Sequence, residues 1–193
     1  ITLFSGNMVT TGTVYNLLLY PGLLLIFYPT VFGIQNDEDN RILEILFGIP
    51  DYRYKVWLVR LIMIFLLVFA VIFLLAWFGS WALVSYTPIY MAYQLMFPIF
   101  LMGTIAFLLS TVVRNGIGTA VIMVIIGITF SSLAEAIERS KWNFFLNPFK
   151  MPEQLSEAAW QSTVHDNRII ILVIIILTIL GGLLSMQRRE KFI

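Results

Sequence analysis

Few residues in this chain could do chemistry. His165 is the single histidine and lies beside Asp166; Glu135, Glu138 and Arg139 form one charged cluster; the stretch "NGIGTA" at 115–120 carries two glycines. A nucleophile needs a base within hydrogen-bond reach, and the motifs that deliver one, H-E-x-x-H, G-x-S-x-G and S-x-x-K, do not occur. A lone exposed histidine is far more often solvated than catalytic or metal-bound. Without cysteine there is no thiol chemistry, disulfide framework or Cys-based metal site, and the eight methionines show no M-x-x-M pairing that would suit a copper path. The glycines of 115–120 have no strand before them, so they read as a turn or helix packing rather than a phosphate cradle. No G-x-x-x-x-G-K-[ST] loop occurs, so ATP hydrolysis is not expected in this chain. Glu135 and Glu138 read either as an interfacial charged rim or as a gate where a cargo leaves. The chemistry that remains is recognition and movement rather than catalysis.

The elements that would position these residues follow from composition. The chain has 193 residues, 60% of them hydrophobic and 12% charged, and its mean hydropathy is +0.90, far above ordinary soluble domains. This predicts an all-α polytopic membrane protein. A bilayer core needs roughly 20 apolar helical residues. Residues 1–36 carry no charge, and 53 consecutive uncharged residues separate Arg60 from Arg114, enough for two helices and a hairpin at Gly79, Ser80, Thr87 and Pro88. Spans are predicted at about 14–33, 56–78, 89–112, 116–136 and 169–187, in a single transmembrane domain covering 1–193. The last span is rich in isoleucine, but it is too long for a strand and lacks period-2 alternation.

Lys and Arg favour the cytoplasmic side. With the start outside, 34–60, 113–117 and 188–193 lie inside with eight basic residues, against four (Arg139, Lys141, Lys150, Arg168) outside. The five tryptophans fall at the predicted interfaces. An odd number of spans with an outside start predicts one further helix upstream, six in the intact protein. The first span holds Tyr15, Tyr20 and Tyr28 with Pro21 and Pro29, which predicts a kinked helix lined with phenol hydroxyls. The spans hold no ionised group at mid-depth, which disfavours an ion-coupled carrier.

The segment 34–55 is the longest on the cytoplasmic side. In "NRILEILFGIPDYRYKVWLVR" (40–60), Asp37, Glu38 and Asp39 suit the start of a short helix, and Gly48 and Pro50 its end. Ile42, Leu43, Ile45, Leu46 and Phe47 are too apolar for a solvated connector. They predict either a helix lying on the membrane surface or an element that docks a partner.

The order of these residues, Asp39, Leu43, Glu44, Ile45, Leu46, Pro50, Arg53 and Arg60, resembles the loop between the second and third membrane helices of type-2 permeases of ATP-binding cassette (ABC) transporters. The Arg114-Asn115 pair, Asn147-Pro148-Phe149 in the last outer loop and the basic tail "MQRREKFI" extend the resemblance over nearly the whole chain. Ile42, Val59 and Arg60 stand where the family usually has Thr, a small residue and Lys. The resemblance implies the permease subunit of an exporter, with ATP and Mg held by a separate cytosolic ATPase present in two copies, and with a second permease completing a homo- or heterodimer. It implies that Arg41, Leu43, Glu44, Leu46, Phe47 and Arg53 couple to the ATPase. Tyr20, Tyr28, Ile122 and Ile126 would line the pathway, with Glu135 and Glu138 as an outer gate. It further implies that the outer loop 137–168 forms short re-entrant helices in the outer leaflet; the residues themselves add that Pro152 suits the first turn of a helix running to about Trp160. The setting is a plasma membrane, as in a bacterial inner membrane, with lipid around the spans and no nucleic-acid partner. The implied cargo is amphipathic or apolar: a lipid, peptide, drug or glycan. The competing expectation is a non-transporting scaffold, or a permease-like subunit that transmits force within a membrane complex.

Overall fold

The computed structural model describes residues 9–40, 42, 53–152 and 155–186, and among them the secondary structure is entirely helical. The helices are α1 (Thr11–Val31), α2 (Gly33–Asp39), α3 (Val59–Ala82), α4 (Pro88–Val113), α5 (Gly116–Ala136) and α6 (Glu157–Ser185), with a π-helical turn (Arg53–Leu58) leading into α3. Five stretches are long and apolar enough to cross a membrane: Thr11–Asp37, Lys55–Ala82, Pro88–Val113, Gly116–Ala134 and Glu157–Ser185. The end of the bundle holding Thr11, Ala82, Pro88 and Glu157 is called outer below, after the orientation that the basic residues predict.

Side-chain chemistry sets the helix ends. Thr10 caps α1 by accepting from the Thr13 N–H (3.2 Å), and Asn115 caps α5 by accepting from the Gly118 N–H (2.8 Å). Pro88 opens α4, where its missing N–H costs nothing, and Arg114 ends it in the left-handed region at φ 57°. Within α1 the Thr30 hydroxyl donates to the Ile26 carbonyl (2.6 Å) beside Pro29, a bond of the kind that steadies prolines in apolar helices. The helix breaks just after, at Phe32.

Packing centres on α4, which touches α1, α3, α5 and α6. In its most apolar stretch 67% of residues are buried, against 11% in α5, so α4 is the hub and α5 the outrigger. One core joins α1, α3 and α4 through Tyr15, Ile26, Ile72, Met91, Leu95 and Ile99. A second closes the inner end with Ile34, Trp57, Leu61, Phe107, Leu183 and Met186. Close approach requires small residues: a Cβ on Gly182 of α6 would meet Phe107 of α4 at 2.5 Å. Outward, large side chains such as Leu66, Leu74, Trp77, Val124 and Ile176 remain exposed. An apolar belt of that extent suits lipid rather than water.

One expectation is corrected. Residues 137–152 form a series of turns rather than short helices, and the helix expected from Pro152 begins instead at Glu157 and continues unbroken into the last span. The cause is local: Asn143 and Asn147 each accept, through their side-chain oxygens, the N–H two residues on, Phe145 and Phe149 (both 3.0 Å). Such Asx turns compete with helix. The acidic group at 37–39 forms the last turn of α2, with Asp37 bound to Arg60 (2.7 Å); the short helix expected to follow it lies, Ile42 apart, outside the described residues.

Candidate functional site

A groove runs between α1 and α5. Its outer part, about 440 Å³, is bordered by Asn16 and Tyr20 of α1, Ser131 of α5, and Glu138, Asn147 and Lys150 of the outer segment. Its deeper part, about 490 Å³, is bordered by Leu24 and Phe27 of α1, Met102 of α4, and Met123, Gly127 and Ile128 of α5. Leu23, Ser131 and Phe145 border both, so the two parts are continuous. The walls change from amide, hydroxyl and charged groups to hydrocarbon along the groove. That gradient fits an amphipathic guest whose polar end faces the outer rim.

The outer segment is pinned over this groove by polar bonds. The Asn147 amide donates to the Gly12 carbonyl (2.8 Å) and to Asn16 Oδ1 (3.0 Å), and the Trp160 indole donates to the Pro148 carbonyl (3.1 Å). Lys150 pairs with Glu138 (2.6 Å). The hydrogen bond from Lys150, helped by its charge, holds the Glu138 carboxyl below the ordinary carboxylate value. On the opposite hairpin the Tyr86 hydroxyl donates to the Ala76 carbonyl (2.8 Å), and burial raises its pKa.

At the inner end, α2 is tied to its neighbours on both sides. Arg60, at the start of α3, binds Asp37 and lies 5.3 Å from the centre of the Trp57 ring. Gln35 accepts from the Gly116 N–H (2.6 Å) at the start of α5. A Cβ on Gly116 would run into Gln35 and Phe32, so glycine lets α5 approach α2. The glycines of 115–120 thus serve a cap and a close contact.

Of the sequence-predicted residues, Tyr20 and Glu138 border the groove's outer part. Tyr28 is exposed further along α1 with its ring near Phe32, and it borders neither part. On α5 the cavity is bordered by Met123, Val124, Gly127 and Ile128, whereas Ile122 and Ile126 are half-buried beside that face. Glu135 lies in the last turn of α5, with its side chain outside the described residues. Arg53 opens the π-helical turn, and Arg41, Leu43, Glu44, Leu46 and Phe47 lie outside the described residues.

Sequence reasoning passed over Gln94 and Arg168. Gln94 accepts from Arg168 Nε (2.9 Å), Asn167 Oδ1 accepts from Nη1 (3.0 Å) and the Leu146 carbonyl from Nη2 (3.3 Å). Asn167 itself donates to the Lys141 and Asn143 carbonyls (2.8 and 2.9 Å). The available signal was Gln94, the one amide in a 53-residue uncharged stretch, which needs a buried partner.

Family models, curated proteins and solved structures were all compared with the chain. None matches.

Proposed function

We propose that this chain is the transmembrane permease subunit of an ABC type-2 exporter, moving an amphipathic or apolar substrate out of the cytoplasm with energy from a separate cytosolic ATPase. The observation that carries the reading is the α1–α5 groove, polar at its outer rim and apolar below it. Its two helices keep large apolar side chains turned outward, among them Leu17, Leu24, Val121 and Ile125. A second permease packed there would close the groove into a pathway.

The motion follows from the inner junction. The segment 41–52 joins α2 to the π-helical turn before α3, and α2 is bonded to α3 through Asp37–Arg60 and to α5 through Gln35–Gly116. An ATPase gripping that segment would pull on α2 and shift α5 against the block formed by α1 and α3, as domain closure shifts packed helices between two arrangements. Leu43 and Leu46 supply the apolar contact, and Arg41, Glu44 and Arg53 the polar ones.

The test is isolation of the tagged chain from its native membrane, with mass spectrometry of what accompanies it. Expected is an ABC ATPase in equal number with the permease, and ATP hydrolysis that rises when lipid or amphipathic compounds are added to the reconstituted complex. A chain isolated intact with no nucleotide-binding protein would refute the reading.

A further inference from the structure

Arg168 marks a second site, which meets the outer part of the α1–α5 groove at Trp160 alone. Its side chain is buried at 6% exposure, at the outer edge of the charge-free run that begins with Ile169. Its three hydrogen bonds go to neutral groups, and no carboxylate among the described residues pairs with it. Burying a guanidinium with no counter-ion is costly, and ionised groups held at membrane depth commonly mark a binding site.

The counter-charge has a place to come from. Arg168 borders an open cleft of about 500 Å³ together with Tyr90, Tyr93, Gln161 and His165. Its guanidinium carbon also lies 5.0 Å from the centre of the Phe97 ring, and Phe97 borders a second cavity of about 450 Å³ almost without polar groups. This second cavity is an open channel across α4, with Ile62, Leu66 and Phe69 of α3 on one side and Leu172 and Ile175 of α6 on the other. Tyr93 borders both cavities. From Arg168 to Ile175 is seven residues of helix, about 10 Å at 1.5 Å per residue. That is about two-thirds of one leaflet of a ~30 Å hydrocarbon core.

From this juxtaposition we infer that Arg168 and the α3–α4–α6 channel form a binding site for an anionic phospholipid of the outer leaflet. The phosphate faces the guanidinium, with His165, Gln161 and Tyr90 around the headgroup, and an acyl chain lies along Phe97, Leu172 and Ile175. The site does not depend on the transport reading, because it shares only Trp160 with the lining of the α1–α5 groove. A guanidinium has five N–H donors; the three bonds above use three and the Tyr15 hydroxyl lies within reach of another, which leaves a donor for a phosphate oxygen.

The experiment is native mass spectrometry of the whole purified protein. Phosphatidylglycerol and phosphatidylcholine with identical chains are added in turn, and glycerophosphate is added as a competitor. Expected is at least tenfold preference for phosphatidylglycerol, with no displacement by glycerophosphate. Leu172→Trp fills the channel from a lipid-exposed position without touching the Arg168 bonds, and should reduce phosphatidylglycerol binding at least tenfold. Arg168→Gln keeps a donor but removes the charge, and should bring the two lipids to equal binding. Equal binding of both lipids by the unaltered protein, or undiminished phosphatidylglycerol binding by Leu172→Trp, overturns the proposal. Displacement by glycerophosphate overturns it too, since a free phosphate would then suffice. If Arg168→Gln fails to fold, the Leu172→Trp result alone decides.

Discussion

Replacing Asn167 with Ala should loosen the outer segment from the bundle. Asn167 is wholly buried, and its amide alone bridges the Lys141 and Asn143 carbonyls (2.8 and 2.9 Å) while its oxygen accepts from Arg168 Nη1 (3.0 Å). If each bond is worth ~0.6 kcal/mol, the average for side-chain bonds between membrane helices, the loss is about 2 kcal/mol. At about 1 kcal/mol for each carbonyl and 1.5–3 for the charged donor, as in water-soluble proteins, it is about 3.5–5. The site lies at the outer end of its span, between those two settings, so a loss of about 2–5 kcal/mol is expected. Thermal unfolding in detergent measures the total, and amide exchange locates it, with protection falling across 137–150 and not in α4. Asn167→Asp separates the contributions. It keeps an acceptor for Arg168 but turns a carboxylate oxygen toward carbonyl oxygens, so it too should destabilise. An Asn167→Ala protein within about 0.5 kcal/mol of the original, with 137–150 still protected, would refute this account of the outer segment.

Three further outcomes are expected. Gly127→Trp, on the wall of the deeper groove, should lower transport more than tenfold while ATPase binding persists; unchanged transport in a reconstituted vesicle assay would move the pathway elsewhere. Leu43→Asp with Leu46→Asp should leave the spans inserted yet cost the ATPase partner on purification, since a charge in a desolvated contact costs several kcal/mol; retained partner and retained transport would make that segment a surface connector. Because Lys150 lowers the Glu138 pKa in the folded state, the pair contributes stability above the ordinary carboxylate value of 4.5 and loses it as pH falls through the lowered value. The effect should be small because both groups are half exposed, and amide exchange of 137–150 should show an acid-induced loosening that Lys150→Met removes.

The sequence conveys some of these features and conceals others for physical reasons. Four charge-free runs give five helices, the 53-residue run holding two, because a bilayer tolerates few ionised groups, and that rule is local. The early start of α6 is hidden because Glu157, His165, Asp166 and Arg168 give 157–168 the hydropathy of a loop. Ser156 followed by Glu157 is nonetheless a readable cap. The pairing of Asp37 with Arg60 spans 23 positions, and no local rule anticipates it. The face of α5 was also illegible. Ile122 and Ile126 are as apolar as Met123 and Val124, and a helix apolar all round has no periodicity to say which side meets its neighbours. The central place of α4 had one clue, Gln94, since an amide surrounded by hydrocarbon must reach a polar group on another helix.

Within the proposed transport cycle, the bonds around α2 constrain how force can travel. If the 41–52 segment moved alone, α2 would have to break either the Asp37–Arg60 pair or the Gln35–Gly116 bond. Asp37 is buried, so losing Arg60 would strand a desolvated carboxylate. The cheaper path keeps that pair and moves α2 with the start of α3 as one body. The neutral Gln35 bond to α5 is then the one that can lengthen, and α5, with the fewest buried residues of the five spans, has least packing to oppose it. The groove should therefore widen by α5 moving away from a block of α1, α3 and α4. Arg60→Met should uncouple that block, leaving ATPase binding intact but ATP hydrolysis no longer stimulated by substrate. Double electron–electron resonance between labels at Leu24 and Ile125, compared with labels at Leu24 and Leu66, distinguishes the two. A nucleotide-dependent distance change is expected in the first pair and not in the second, and a change confined to the second would mean that α3, not α5, is the helix that moves.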